Sequence, residues 1–113
     1  MILGVQRDPV FGPVVMCGLG GIFAKVLRNV TFRAAPFDLS GAKRMIDELK
    51  GQAVLDGVRG LPGGDRAALA QALVALSQFA VAHAENLETC DINPFVLHEI
   101  GGVALDAVIV GTG

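Results

Sequence analysis

The chain predicts an α+β fold, a mainly antiparallel sheet with helices packed on it, and three observations carry that expectation. Short apolar runs broken by Gly and Pro occupy the first third. Two segments with helical apolar spacing fill the middle. Two further apolar runs, joined across Gly101-Gly102, close the chain. The order ββ(β)–αα–ββ sets a layer of helices against a sheet built mostly from sequence neighbours.

Met1-Ile2-Leu3-Gly4-Val5 reads as a first strand. Arg7-Asp8-Pro9 and Phe11-Gly12-Pro13 read as the turn after it, since Pro presets φ and Asp bonds to nearby backbone. Val14-Val15-Met16-Cys17 is the second strand and Gly18-Leu19-Gly20-Gly21 a Gly-rich turn. Ile22 to Ala34 supplies one or two more β segments, broken near Arg28-Asn29. Asp38 or Ser40 caps a helix running to about Lys50, with Leu39, Ala42, Ile46 and Leu49 on one face. Gly51 ends it, and Gln52 to Asp56 adds a helical turn before a loop over 57–64. Asp65 caps the longest helix, to about Ala84, whose apolar stripe is Leu69, Leu73, Leu76, Phe79 and Ala80. Leu87 leads into a C-terminal hairpin. Its strand residues are Val96, Leu97, Val103, Leu105, Val108, Ile109 and Val110, and its turn is Glu99-Ile100-Gly101-Gly102.

At 113 residues this is one small domain or a piece of a larger one. A strand opening at residue 2 without a preceding cap favours the second: one subdomain over 1–113, cut from a larger protein. An apolar fraction of 52% fits, because a neighbour would cover part of the surface. No apolar stretch approaches the roughly 20 residues of a spanning helix, and no segment has the layout of a signal peptide. A cytoplasmic protein without membrane contact is expected. The net charge of −2 and the absence of Trp and Tyr argue against nucleic acid as a partner. Cys17 and Cys90 lack CxxC spacing and read as buried, reduced thiols.

The chemistry concentrates near the C-terminus. Cys90-Asp91-Ile92-Asn93-Pro94-Phe95 and Ala104-Leu105-Asp106-Ala107 set oxygen-bearing side chains inside apolar segments. A hairpin with a two- or four-residue loop puts Asp106 opposite an odd-numbered residue of the first strand. Period-two alternation then places Asp91, Asn93 and Asp106 on one face, and a one-residue change of loop length would undo it. Carboxylates among apolar side chains need partners, and a hard cation is a natural one. Asp91 can serve as an additional metal carboxylate or orient Arg33 as an ion pair. Arg33, beside Phe32 in an apolar strand, needs either a phosphate or a carboxylate. The Gly20-Gly21 turn serves either positive φ or close backbone approach to a ligand. It lacks the Lys-Ser/Thr of a P-loop.

Three blocks together resemble a known family. They are Gly4-Val5-x-x-Asp8-Pro9-x-Phe11-Gly12-Pro13-Val14-Val15-Met16-x-Gly18-Leu19-Gly20-Gly21-Ile22-Phe23, then Asn29-Val30-x-Phe32-Arg33-x-Ala35-Pro36, and finally Asp91-Ile92-Asn93-Pro94 with Asp106-Ala107. In this order the chain resembles the C-terminal half of the ATP-grasp domain of NDP-forming acyl-CoA synthetases, relatives of succinyl-CoA synthetase β subunits. The resemblance implies Mg²⁺ and ATP or ADP, with Asn93 and Asp106 at the family's metal-ligand positions. It also implies phosphoryl transfer through a histidine to an acyl group that CoA captures, chemistry that rests on charge neutralisation and alignment. Implied partners are the missing N-terminal half of the nucleotide clamp and CoA-binding domains or a subunit carrying them.

The sequence departs from that pattern at Lys25, where the family commonly has Glu, and at Thr89-Cys90, where it commonly has Glu-Leu. His83 and His98 match no catalytic histidine of the family and read as structural or solvated. Two other readings therefore stand beside the ligase half. One is a degenerate or regulatory module that keeps the fold without the chemistry. The other is an interaction domain whose exposed sheet forms a homo-oligomer.

Overall fold

The computed structural model of the chain describes residues 1–18, 30–49, 65–97 and 100–111. Seven strands and two helices lie in these residues: β1 Ile2–Asp8, β2 Gly12–Gly18, β3 Val30–Ala34, α1 Leu39–Asp47, α2 Arg66–Ala82, β4 Leu87–Ile92, β5 Phe95–Leu97, β6 Gly102–Ala104 and β7 Ala107–Gly111. The expected α+β architecture is present. Five strands form one antiparallel sheet in the order β3-β2-β1-β4-β7, and β5 and β6 form a separate two-stranded ladder.

β1 and β2 run further than their apolar cores suggest, because pairing carries Gln6, Arg7 and Asp8 opposite Val14, Pro13 and Gly12. The turn is correspondingly short. The Asp8 carboxylate accepts from the amides of Val10 (2.8 Å) and Phe11 (3.0 Å), which closes it. Gly12, at φ +74°, takes the left-handed conformation that side chains resist.

Alternation divides the sheet into two unlike faces. Leu3 and Val5 of β1, Val15 and Cys17 of β2, Thr31 of β3 and Cys90 of β4 are buried beneath the helices. α1 contributes Ala42, Met45 and Ile46, and α2 contributes Leu69, Ala70, Leu73, Leu76 and Ala80. Thr31 Oγ1 donates to the Met45 carbonyl (3.1 Å) and Ser77 Oγ to that of Val74 (2.8 Å), whereas the buried Arg33 Nε has no hydrogen-bond partner among the described residues. The other face is open. Phe32 is 57% exposed there and Val108 54%.

Both helices are capped as their sequences require. Asp38 accepts from the Gly41 amide (2.9 Å) and Asp65 from that of Ala68 (3.0 Å). α1 stops earlier than expected, at Asp47, although Leu49 beyond it is still buried. Leu39, expected on its buried face, is largely exposed, and Met45 takes that place. α2 ends at Ala82 rather than Ala84. His83 caps it, exposed, with its ring 4.7 Å from that of Phe79. The expected turn at Gln52 to Asp56, the loop over 57–64, the Gly20-Gly21 turn, Lys25 and His98 all lie outside the described residues.

Candidate metal and nucleotide site

Polar residues among the apolar strands at the C-terminus converge because one hairpin runs through both sheets. β5 pairs with β6 as Phe95↔Ala104, Val96↔Val103 and Leu97↔Gly102. β4 pairs with β7 as Ile92↔Ala107, Asp91↔Val108 and Cys90↔Ile109. These are two stretches of one register, separated by two residues on each strand. In the gap Asn93 stands opposite Asp106 and Pro94 opposite Leu105. Backbone bonds bridge it, from the Asn93 amide to the Asp106 carbonyl and from the Leu105 amide to the Pro94 carbonyl, both 3.1 Å. Asp106 thus faces an odd-numbered residue, as the hairpin argument requires, and that residue is Asn93.

The alternation argument holds for less of the segment. Cys90 is in the core and Ile92 packs against it, yet so does Phe95, three residues further on. The chain therefore changes parity across Asn93-Pro94, where the ladder is interrupted. Strict period two fixes the face of Asp91 and stops there. Asn93 and Asp106 are both exposed at the junction of sheet and hairpin arm.

Asp91 lies on the open face, and a glycine makes room for it. A Cβ on Gly4, its partner on β1, would come 3.4 Å from Asp91 Oδ1, 3.5 Å from Met16 Cε and 3.1 Å from the Cys90 carbonyl oxygen. Gly4 therefore lets both side chains lie across β1. Gln6 pairs with Thr89 one step along the same face, and a depression of about 590 Å³ runs past Gln6, Thr89 and Asp91. Sequence reasoning missed Gln6 and Thr89. Their signal was available only as parity with Gly4 and Asp91 once the β1–β4 register was known.

Arg33 is elsewhere. It pairs with Val15 across β2, on the helix-covered face, and its Nη2 donates to Glu48 Oε1 at 3.4 Å. The proposed Asp91–Arg33 ion pair is not formed, because the two residues occupy opposite faces of the sheet. Glu48 partners the Nη2 of this cation, while its buried Nε has no hydrogen-bond partner among the described residues. Arg33 borders a larger groove of about 710 Å³ with Phe37, Ser40, Arg44 and Gln78. That groove is on the helix side, away from Asn93 and Asp106, and size alone does not make it the site. Asp38 also lines it, and the Glu48 carboxylate beside Arg33 further offsets the two guanidinium charges.

The thiols are inert by environment. Both are free and buried. Burial pushes the Cys17 thiol up to about 12, with the nearby N-terminal charge opposing it. Burial and then the Asp91 charge raise that of Cys90.

The donor set at the junction suits a hard cation. It offers the Asp106 carboxylate and the Asn93 amide oxygen on facing residues, with the Asp91 carboxylate two positions along the chain. Among the described residues no group of three or more His, Cys, Asp or Glu forms a closed cage. Mg²⁺ keeps waters and takes few protein oxygens, so a site for it need not contain such a cage.

An antiparallel sheet with two helices packed on one face is the architecture of an ATP-grasp subdomain. The family profile described as an ATP-grasp domain matches residues 1–110, and the chain belongs to that family. It is 41% identical over 110 residues to the β subunit of an ADP-forming acetate–CoA ligase of Pyrococcus furiosus, covering 97% of this chain and 47% of that subunit. It is 40% identical over 106 residues to an ADP-forming acetate–CoA ligase of Archaeoglobus fulgidus, covering 94% of this chain and 15% of that enzyme. Among solved structures it superimposes, with a TM-score of 0.90 and 39% identity, on an acetyl-coenzyme A synthetase of Ca. Korarchaeum cryptofilum. That protein was solved with coenzyme A and Mg-AMPPCP, and the match covers 97% of this chain and 51% of that one. The chain thus spans about half the length of the β subunit it matches. No helix among the described residues is long and apolar enough to cross a membrane.

Proposed function

We propose that this chain is the Mg-nucleotide-binding half of an NDP-forming acid–CoA ligase, which interconverts acid, CoA and ATP with acyl-CoA, ADP and phosphate in the cytoplasm. The observation that carries the reading is the register that sets Asn93 against Asp106 at the foot of an exposed hairpin. Asp106 and Asn93 would hold Mg²⁺ through a carboxylate and an amide oxygen, with Asp91 adding a second negative charge on the adjoining open face. The bound ion would supply charge neutralisation for the nucleotide phosphates.

The remaining roles fall to this chain's own surfaces. The open sheet face presents Gln6, Thr89 and Asp91 as hydrogen-bonding groups beside exposed Phe32 and Val108, a mixture suited to a nucleotide. Gly20 and Gly21 belong to the same reading as candidate phosphate-binding residues. The partners it requires are an N-terminal ATP-grasp half to close the clamp and CoA-binding domains or a subunit bearing them. Without these the chain should not turn over substrate.

Calorimetry with Mg-ADP tests the reading, with the complementary half of the clamp supplied in trans. Binding should appear only with both halves present and weaken at least about tenfold in Asn93→Ala and in Asp106→Ala. Binding indifferent to both substitutions would remove the metal assignment and favour a module that keeps the fold without the chemistry. Acid-, CoA- and ATP-dependent product formation by the chain alone would overturn the half-clamp view.

A further inference from the structure

The two-stranded arm formed by β5 and β6 has only three residue pairs, too few for a hairpin to hold its own position. Its outgoing strand is plugged into the body of the molecule: the Phe95 amide donates to the Met1 carbonyl (2.8 Å) and the Phe95 ring joins the core. The returning strand has no such plug, since every residue of β6 is exposed, as are Leu105 and Asp106 after it. Among the described residues, the side chain that hydrogen-bonds to the arm's turn is that of Asp65. Its Oδ1 accepts from the Ala68 amide (3.0 Å) as the cap of α2, and its Oδ2 accepts from the Gly101 amide (2.8 Å) at the arm's turn. Gly101 sits at φ +81° with open space where a Cβ would be, so glycine is required there by backbone conformation, not by crowding.

We propose that Asp65 is a positioning residue, tethering the arm's turn to the start of α2 and so fixing where Asp106 stands against Asn93. The proposal rests on the reading of Asn93 and Asp106 as metal ligands. The two amides, Gly101 first and then Ala68, also hold the Asp65 carboxyl below the usual range, which keeps both acceptor oxygens available near neutral pH. Asp65 acts through the backbone of residues 101 to 105 and is outside the ligand set.

The two jobs of this carboxylate can be separated. Asp65→Ser retains a hydroxyl that caps the helix but provides no second oxygen for Gly101. Asp65→Ala removes both. Nuclear magnetic resonance of this chain, with Mn²⁺ alone as the paramagnetic probe, reads the outcome together with amide exchange and thermal unfolding. Asp65→Ser should unfold close to wild type. It should speed exchange at Gly101, Leu105 and Asn93, and weaken Mn²⁺-induced broadening at Asn93 and Asp106 by about tenfold in apparent affinity. Asp65→Ala should show the same local effects with an added loss of thermal stability.

Unchanged exchange at Leu105 and Asn93 in Asp65→Ser would overturn the tether whether or not Mn²⁺ binds. Faster exchange with unchanged Mn²⁺ affinity would reduce Asp65 to a structural cap and equally overturn the proposal. A wild-type chain whose Asn93 and Asp106 signals ignore Mn²⁺ would sink the metal reading and the functional half of this inference, while the exchange data still decide the tether.

Discussion

The body of the molecule and its C-terminal arm are held together by different physics. In the body, α1 and α2 close over β1, β2 and β3, and side chains such as Leu73, Val15 and Met45 have no exposure at all. Position there is set by packing, and many contacts share the work. In the arm and β7 nearly every residue is exposed, and position is set by a backbone register with a few discrete fastenings at Phe95, Asp65 and the Asn93–Asp106 junction. Ligand candidates collect in the second region. A carboxylate that must meet a cation and phosphates needs exposure, whereas a packed core would make it costly.

The contrast can be broken or sharpened by four measurements. The largest effect should come from Leu73→Ala in the centre of α2, with a loss of about 3 to 4 kcal/mol in denaturant unfolding. Asp106→Ala at the same protein concentration should cost less than about 0.5 kcal/mol, because it lies on the exposed return strand. Equal losses would erase the distinction between the regions.

Phe95→Ala joins the two regions and should cost about 3 kcal/mol, at the lower end for a buried ring because it sits at the rim of the core. It should also speed amide exchange in the arm, which Leu73→Ala should not do selectively. Uniform change across the chain would show that the arm is packed as part of the body.

The third measurement is pH. The Cys17 thiol has its folded pKa pushed up to about 12, above the roughly 8.5 of a free thiol. Its contribution to stability is therefore complete below the free-thiol value and is lost as pH rises through the folded one. Denaturation midpoints should fall across that alkaline window, and less so in Cys17→Ala. A thiol reagent at pH 8 should leave Cys17 unmodified until denaturant is added; rapid native labelling would contradict its burial.

The smallest effect belongs to Asp8. Hydrogen bonds from Phe11 and then Val10 hold its carboxyl below the usual range. The stabilisation is present above the ordinary Asp value and disappears as pH falls through the folded one. Wild type and Asp8→Ala should differ slightly at neutral pH and converge in acid, as followed by thermal unfolding; a constant gap would assign the effect to something other than the charge.

The body was legible in the sequence because its signals are local. The Asp38 and Asp65 caps and the stripe of Leu69, Leu73, Leu76 and Ala80 follow from residues within a few positions of one another. That Asp106 faces an odd-numbered residue was legible from loop length and period two, but not that it is Asn93: a turn over 99–102 would set Asp106 opposite Phe95, whereas Gly102 belongs to β6 and pairs with Leu97. The parity change at Asn93-Pro94 was not, because it shows only when Phe95 is found in the same core as Cys90 and Ile92. Which carboxylate meets Arg33 was hidden for a similar reason. Nothing local says which face of β3 meets α1, and so nothing local offers Glu48 as its partner. Gln6, Thr89 and the Gly4 clearance depend on β1 lying beside β4, a neighbour more than eighty positions away in the chain.

The ladder gaps at 93–94 and 105–106 are equal in length and face each other. A joint of that kind alters the angle between two parts without letting either rail slip along its mate. Asn93 and Asp106 stand at that joint, so a swing of the arm against the sheet would turn the two facing residues relative to each other.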